Sequence, residues 1–119
     1  MSDETTLAHY YRAIDEDRID DALAMLDPEI QFVMVLPAGT RRGHGRADMD
    51  GYLRGRGVPD RAHVVLRQSR DDDVEFLYGK VTDGGVTTGR FLSAVRIGPD
   101  GLIASYEVTF EVEHVLVQG

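Results

Sequence analysis

Hydroxyl groups and one histidine are the side chains in this chain that could do chemistry. None of its 119 residues is cysteine, so thiolate nucleophiles, disulfides and cysteine metal sites fall away together. Tyr10 belongs to LAHYYRAID, where Leu7, Tyr10, Tyr11 and Ile14 recur at helical spacing and predict one apolar helix face. Tyr106 belongs to LIASYEVTFEVEHV, whose alternation puts Ala104, Tyr106, Val108 and Phe110 on one strand face and Ser105, Glu107, Thr109 and Glu111 on the other. A buried tyrosine hydroxyl needs a partner, which can be a neighbour or a polar group on a ligand. His44, in GHGR, is the histidine expected near a pocket mouth, and histidine is the residue type suited to acid-base work near neutral pH. His9 and His63 show no partner in the sequence, and His114 is close to the C-terminus. No histidine-carboxylate spacing points to a metal, and GHGR is too short for a dinucleotide fingerprint. Lys80 reads as a rim lysine with its ammonium in solvent; buried, it would be a base or Schiff-base candidate.

These groups need elements to hold them. Thr5 or Thr6 opens a first helix, and Asp17 caps a second that runs through Ile19, Leu23 and Leu26 until Asp27-Pro28 stops it. A strand EIQFVMVLP follows, then a glycine- and arginine-rich loop PAGTRRGHGR, and a short helix ADMDGYLRG with Met49, Tyr52 and Leu53 on its apolar face. The loop GRGVPDR leads into strands AHVVLRQSR, VEFLYGKVT, TTGRFLSAVRI and Leu102 to Val115. Hairpin turns at Asp71-Asp72-Asp73, Asp83-Gly84-Gly85 and Gly98-Pro99-Asp100-Gly101 join them. The predicted order is ααβαββββ, an α+β domain over residues 1–119 with a curved antiparallel sheet wrapped around three helices. Such a cone offers a pocket at its open end, or is filled by core side chains.

Composition narrows the partners. A net charge of −8 opposes binding to phosphate backbones, so no nucleic-acid partner is predicted. The arginines that cluster at Arg41, Arg42, Arg46, Arg54, Arg56 and Arg61 suit a basic rim that attracts an anionic small molecule. No apolar run approaches the ~20 residues of a membrane span, and the polar start MSDETT is no secretory leader, which predicts a cytoplasmic location.

In element order, in EDRIDDALAMLDPEIQF after the first helix, in RGHGRADMDGYL and in the closing SAVRIGPDGLIASYEV, the chain resembles the NTF2-like superfamily, within its SnoaL-like and ketosteroid-isomerase-like branch. The resemblance covers nearly the whole chain. It implies an NTF2-like cone and a function among cyclases, isomerases, epoxide hydrolases, dehydratases and non-catalytic binding domains. Ketosteroid isomerases pair an oxyanion-hole tyrosine and a protonated aspartate with an aspartate base. Carried over, Tyr10 matches the tyrosine, Ser93 stands at the oxyanion aspartate and Met34 at the base, while two supporting tyrosines correspond to Leu26 and Leu53. Val108 stands where cyclases and epoxide hydrolases of the superfamily place an acid. Methionine cannot accept a proton, so ketosteroid isomerisation by that route is not expected.

The same alignment turns Val74, Phe76, Tyr78 and Lys80 inward beside Gly89, Phe91, Ser93 and Val95, and puts Leu77, Val81, Leu92 and Ala94 on the outer face among Glu75, Arg90, Arg96 and Glu107. The resemblance therefore implies Tyr10, Tyr78, Tyr106 and Ser93 as catalytic hydrogen-bond donors, with His44 as an acid-base candidate. Met34, Tyr52, Phe76, Phe91, Val108 and Phe110 would contact a hydrophobic ligand, and the outer face would form a homodimer. The expected activity is cyclisation, isomerisation or epoxide opening of a polyketide- or terpenoid-like molecule, without cofactor or metal. The alternative is a ligand- or partner-binding domain that has lost its acid and base.

Overall fold

The computed structural model describes residues 4–57 and 60–119. The first three residues of MSDETT, and Val58 and Pro59 of the expected GRGVPDR loop, lie outside them. Three helices, α1 (Thr6–Asp15), α2 (Ile19–Ala24) and α3 (Arg46–Gly55), sit against one sheet built from β1 (Leu26–Leu36), β2 (Gly39–His44), β3 (Arg61–Asp71), β4 (Val74–Asp83), β5 (Val86–Ile97) and β6 (Ile103–Glu111). The sheet order is β2-β1-β6-β5-β4-β3. The sheet curves without closing, as the cone reading expects. Among the described residues no helix is long and apolar enough to cross a membrane.

α1 forms where its apolar spacing predicts, burying Leu7, Tyr10, Tyr11 and Ile14. Thr5 caps it, its hydroxyl accepting the Ala8 N–H at 3.1 Å. The first turn has a second anchor. Glu75, fully buried on β4, accepts the N–H groups of Leu7 at 2.9 Å and Thr6 at 3.2 Å, while Arg70 donates to the same carboxylate from Nε at 3.0 Å and Nη2 at 2.5 Å. Helix N-terminal N–H groups lack partners within the helix and sit at the positive end of its dipole, so a carboxylate there satisfies both at once.

Four features depart from the sequence expectation. Helix α2 ends at Ala24, and Leu26 already pairs with Ile103, because Pro28 favours extended backbone before it. The glycine- and arginine-rich loop contains a strand, β2, which pairs antiparallel with β1 from Gln31 to Leu36. It buries almost nothing, so it has no apolar periodicity to reveal it. β1 pairs parallel with β6, which makes the sheet mixed rather than antiparallel. β6 stops at Glu111, where its carboxylate turns to accept the N–H groups of Glu113 and His114.

The inward side of β4 also differs. Leu77 lies opposite Ser93, Gly79 opposite Phe91 and Val81 opposite Gly89, so Glu75, Leu77, Gly79 and Val81 face the helices. Phe76, Tyr78 and Lys80 pair with Ala94, Leu92 and Arg90 on the outer face. Neither parity of VEFLYGKVT is uniformly apolar, and the inner one is fixed by two contacts. Glu75 must reach α1. Gly79 must be a glycine, because a Cβ there would meet the Val64 carbonyl oxygen at 2.4 Å and the Phe91 ring at 2.9 Å.

Glu75→Ala leaves two helix N–H groups and the Arg70 guanidinium without their acceptor and is expected to cost about 3 kcal/mol, with Glu75→Gln losing less. Urea unfolding measures it. An unchanged midpoint for Glu75→Ala would show that α1 is anchored by its apolar face alone.

Candidate functional site

α1 delivers Tyr10, Tyr11 and Asp15 to the inside of the cone, and three strands meet them there. The Tyr11 and Tyr106 hydroxyl oxygens lie 2.5 Å apart, so one donates to the other. Ser93 donates to the Leu77 carbonyl at 3.4 Å. Tyr11 stacks on the His63 ring with centroids 4.6 Å apart, and Phe91 packs edge-on against both. His63 Nδ1 lies 2.7 Å from Asp15 Oδ1, and the His63 backbone N–H donates to Asp15 Oδ2, also at 2.7 Å. The side chains of this pair are only 2% and 16% exposed. A carboxylate can only accept, so Nδ1 of the neutral ring carries the proton and Nε2 keeps its lone pair. Nε2 has no hydrogen-bond partner among the described residues.

Two spaces that share lining residues adjoin this cluster. An internal cavity of about 20 Å³, room for about one water, is lined by Tyr10, Tyr11, His63, Tyr106, Met34 and Arg56. Tyr52, Arg56 and Phe110 are shared with a mouth of about 270 Å³, where Leu36, Val81, Arg61, Arg90 and Glu111 also lie. The cone is therefore filled at its depth and open at its end. Tyr10 is 2% exposed and makes no hydrogen bond among the described residues. Burial pushes the pKa values of Tyr10, Tyr11 and Tyr106 well above the ordinary tyrosine value; the Arg56 charge opposes this at Tyr10, and Ser93 and Tyr106 oppose it at Tyr11. These phenols are neutral donors. At the rim Arg61 holds Asp83 through Nε at 2.8 Å and Nη2 at 3.2 Å, and Thr88 donates to Asp83 at 2.7 Å.

The structure brings some of the expected residues together and separates others. Tyr10, Tyr106 and Ser93 belong to the cluster. Met34, Tyr52 and Phe110 line its spaces, while Phe91 and Val108 are fully buried and support it from behind. Tyr78 and Phe76 are on the outer face: the Tyr78 hydroxyl accepts the Leu116 N–H at 3.0 Å, and Phe76 is 42% exposed. His44 is away from the cone, its backbone N–H on Asp48 and its Nε2 3.2 Å from Glu29. Among the described residues no group of three histidines and carboxylates could hold a metal ion.

The sequence reading missed the Asp15–His63 pair and Tyr11. Asp15 and His63 are 48 residues apart, on a helix end and a strand, so no local spacing links them. Tyr11 had a signal, as it shares the apolar face of α1 with Tyr10.

A family model described as the SnoaL-like domain matches residues 7–106. Among solved structures the chain is similar to a Mycobacterium tuberculosis LEH-like epoxide hydrolase, with 17% identity, TM-score 0.73 and coverage of 89% of this chain and 80% of that one. It is also similar to a candidate polyketide cyclase from Sinorhizobium meliloti, at 18%, 0.69, 86% and 91%. A candidate ketosteroid isomerase from Kribbella flavida gives 20%, 0.69, 92% and 78%. At these identities the likeness concerns the fold. No curated protein matches the sequence.

The rim pair gives a pH signature. Arg61 first, then Thr88, lowers the Asp83 carboxyl from 3.8 to about 2 in the folded chain. A depressed folded value adds stability that is complete above the unfolded value and is lost as pH falls from about 4 to about 2. For a partly exposed pair this amounts to about 1 kcal/mol. Urea melts of the native chain and Asp83→Asn are expected to differ by that much at pH 7 and to converge at pH 2.

Proposed function

Because the chain belongs to the SnoaL-like domain family, we propose that it binds a hydrophobic small molecule in the cone mouth and catalyses its rearrangement by proton transfer, as a cyclase, isomerase or epoxide-opening enzyme. The observation that carries this reading is the buried Asp15–His63 pair beside three tyrosine hydroxyls. His63 is the proton acceptor through Nε2, oriented by Asp15, as an imidazole general base requires. Tyr10, whose hydroxyl has no partner, donates to oxygen charge that develops on the substrate, and Tyr11 and Tyr106 hold the polar interior in place. The Met34 and Val108 positions carry no base, but His63 supplies one from β3. A solved relative described as an epoxide hydrolase and another described as a candidate polyketide cyclase are consistent with this class.

The second reading is a ligand-binding domain in which Asp15–His63 is only a clamp between α1 and β3. The small volume at the depth of the cone favours it, since the space bounded by His63, Tyr52, Arg56 and Phe110 holds about one water, while a separate groove of about 260 Å³ borders Asp15 and His63 from the side of Ala8, Arg12 and Gln68. His63→Asn separates the two, because its side-chain amide replaces Nδ1–H and keeps the clamp while removing Nε2. Deuterium uptake next to the carbonyl, followed by NMR across a panel of apolar ketones in D2O, is expected to fall about 10²-fold to 10⁴-fold in His63→Asn with little loss of stability. Equal uptake in both proteins would sink the base assignment.

The outer face, with Phe76 42% and Leu92 51% exposed near Tyr78 and Ala94, supports a homodimer through that surface. Sedimentation at micromolar concentration is expected to give twice the 13.2 kDa chain mass and to return to one chain in Leu92→Glu. A single-chain species in the native protein would end the proposal.

A further inference from the structure

Arginine chemistry at the cone mouth is not used by the proton-transfer reading. Three guanidinium residues, Arg56, Arg61 and Arg90, line the 270 Å³ mouth. Arg61 is engaged by Asp83. Arg56 and Arg90 have no hydrogen bond or ion pair among the described residues, and the Nε of each is buried. Arg46 also has a buried, unpartnered Nε, but its guanidinium is anchored on the Leu26 carbonyl. A buried charged donor left unpaired destabilises a fold, and a native protein that keeps one has a use for it.

The surrounding charges sharpen the point. The carboxylate among the mouth-lining residues is Glu111, whose Oε2 already accepts two backbone N–H groups, and Asp83 is spent on Arg61. Arg56 also borders a neighbouring groove lined by Asp15, Glu16, Asp17 and Asp60, and forms no ion pair with any of them. Arg56 follows α3 directly, where the helix dipole favours a cation, and it lies at the neck between mouth and internal cavity, near enough for its charge to act on Tyr10. Leu36, Pro37, Val81, Phe110 and Val112 give the mouth apolar walls, beside Tyr52 and Thr88.

We propose that Arg56 receives the carboxylate of an apolar organic acid bound in the cone mouth. This rests on the mouth being the ligand site of the function proposed above, and it names the ligand's class. A guanidinium presents a planar fork that matches a carboxylate, and the apolar walls accept the hydrocarbon body. A mouth of 270 Å³ lies at the small end of ligand pockets and suits a compact acid.

The test uses the full chain with 4-phenylbutyrate and its neutral amide, 4-phenylbutyramide, by calorimetry and amide chemical-shift mapping. The acid is expected to bind at least tenfold more tightly than the amide and to shift signals around Arg56, Arg90 and Phe110. Arg56→Met is expected to weaken the acid about tenfold and the amide little, while raising the ligand-free unfolding midpoint because a buried Nε–H without a partner is gone. That rise is a readout that a structural arginine would not give. If Arg56→Met does not fold, Arg56→Lys and Arg56→Gln carry the same comparison. Equal affinity for acid and amide, no acid binding at 10 mM, unchanged acid affinity in the variants, or shifts elsewhere would each overturn the proposal. Inorganic phosphate binding at Arg56 as tightly as the acid would overturn it too. Histidine-dependent deuterium uptake by neutral ketones without preference for the acid removes the carboxylate inference alone. Arg56-dependent acid binding without any uptake removes the catalytic reading alone.

Discussion

One buried carboxylate sets the geometry on which the interior depends. Glu75 meets the first turn of α1 and is itself held by Arg70, so it ties the helix to β4 at one end, while Asp15 ties it to β3 at the other through the His63 backbone and ring. Between these anchors lie Tyr10 and Tyr11. A helix free to slide by one residue would turn them by ~100° and remove the hydroxyls from the cone. The Thr5 cap, with its hydroxyl donating to Gln68 and accepting from Ala8, makes the same placement a second time.

Much of this was legible in the sequence because burial leaves a period behind. The face of α1 and the alternation of β6 are strong patterns, and the structure keeps both: Tyr106 and Val108 are buried, and Glu107 and Glu111 face solvent. β4 was not legible, since its inner set of Glu75, Leu77, Gly79 and Val81 is less apolar than the outer set that includes Phe76 and Tyr78. Hydrophobicity pointed the wrong way because a charge and a missing side chain are needed inside. β2 was invisible for a related reason: an edge strand joined through backbone pairing imposes no side-chain pattern.

The site divides along the same line. Tyr10 and Tyr106 could be placed inside from local periodicity, whereas the Asp15–His63 pair exists only after α1 docks on β3. The sequence reading saw Met34 and Val108 where related enzymes carry ionisable groups and concluded that the chemistry ran on hydroxyls and shape. The structure supplies an imidazole from another direction. Position by position comparison with a relative detects a catalytic group only if it stays on the same element.

Electrostatics then separate the roles of the polar groups. Desolvation keeps the phenols of Tyr10, Tyr11 and Tyr106 protonated, which suits donors to an oxygen and disqualifies them as bases at neutral pH. The His63 imidazole is held through Nδ1 by the Asp15 carboxylate, which leaves Nε2 as its second polar atom. Tyr10, Tyr11 and Tyr106 lie on α1 and β6, His63 is on β3, and Arg56 borders both the internal cavity and the mouth. Each comes from a different element, so the cone is the device that makes them neighbours. A filled depth beneath an open mouth follows from that arrangement, because the side chains that hold one another in place occupy the space a larger cavity would need.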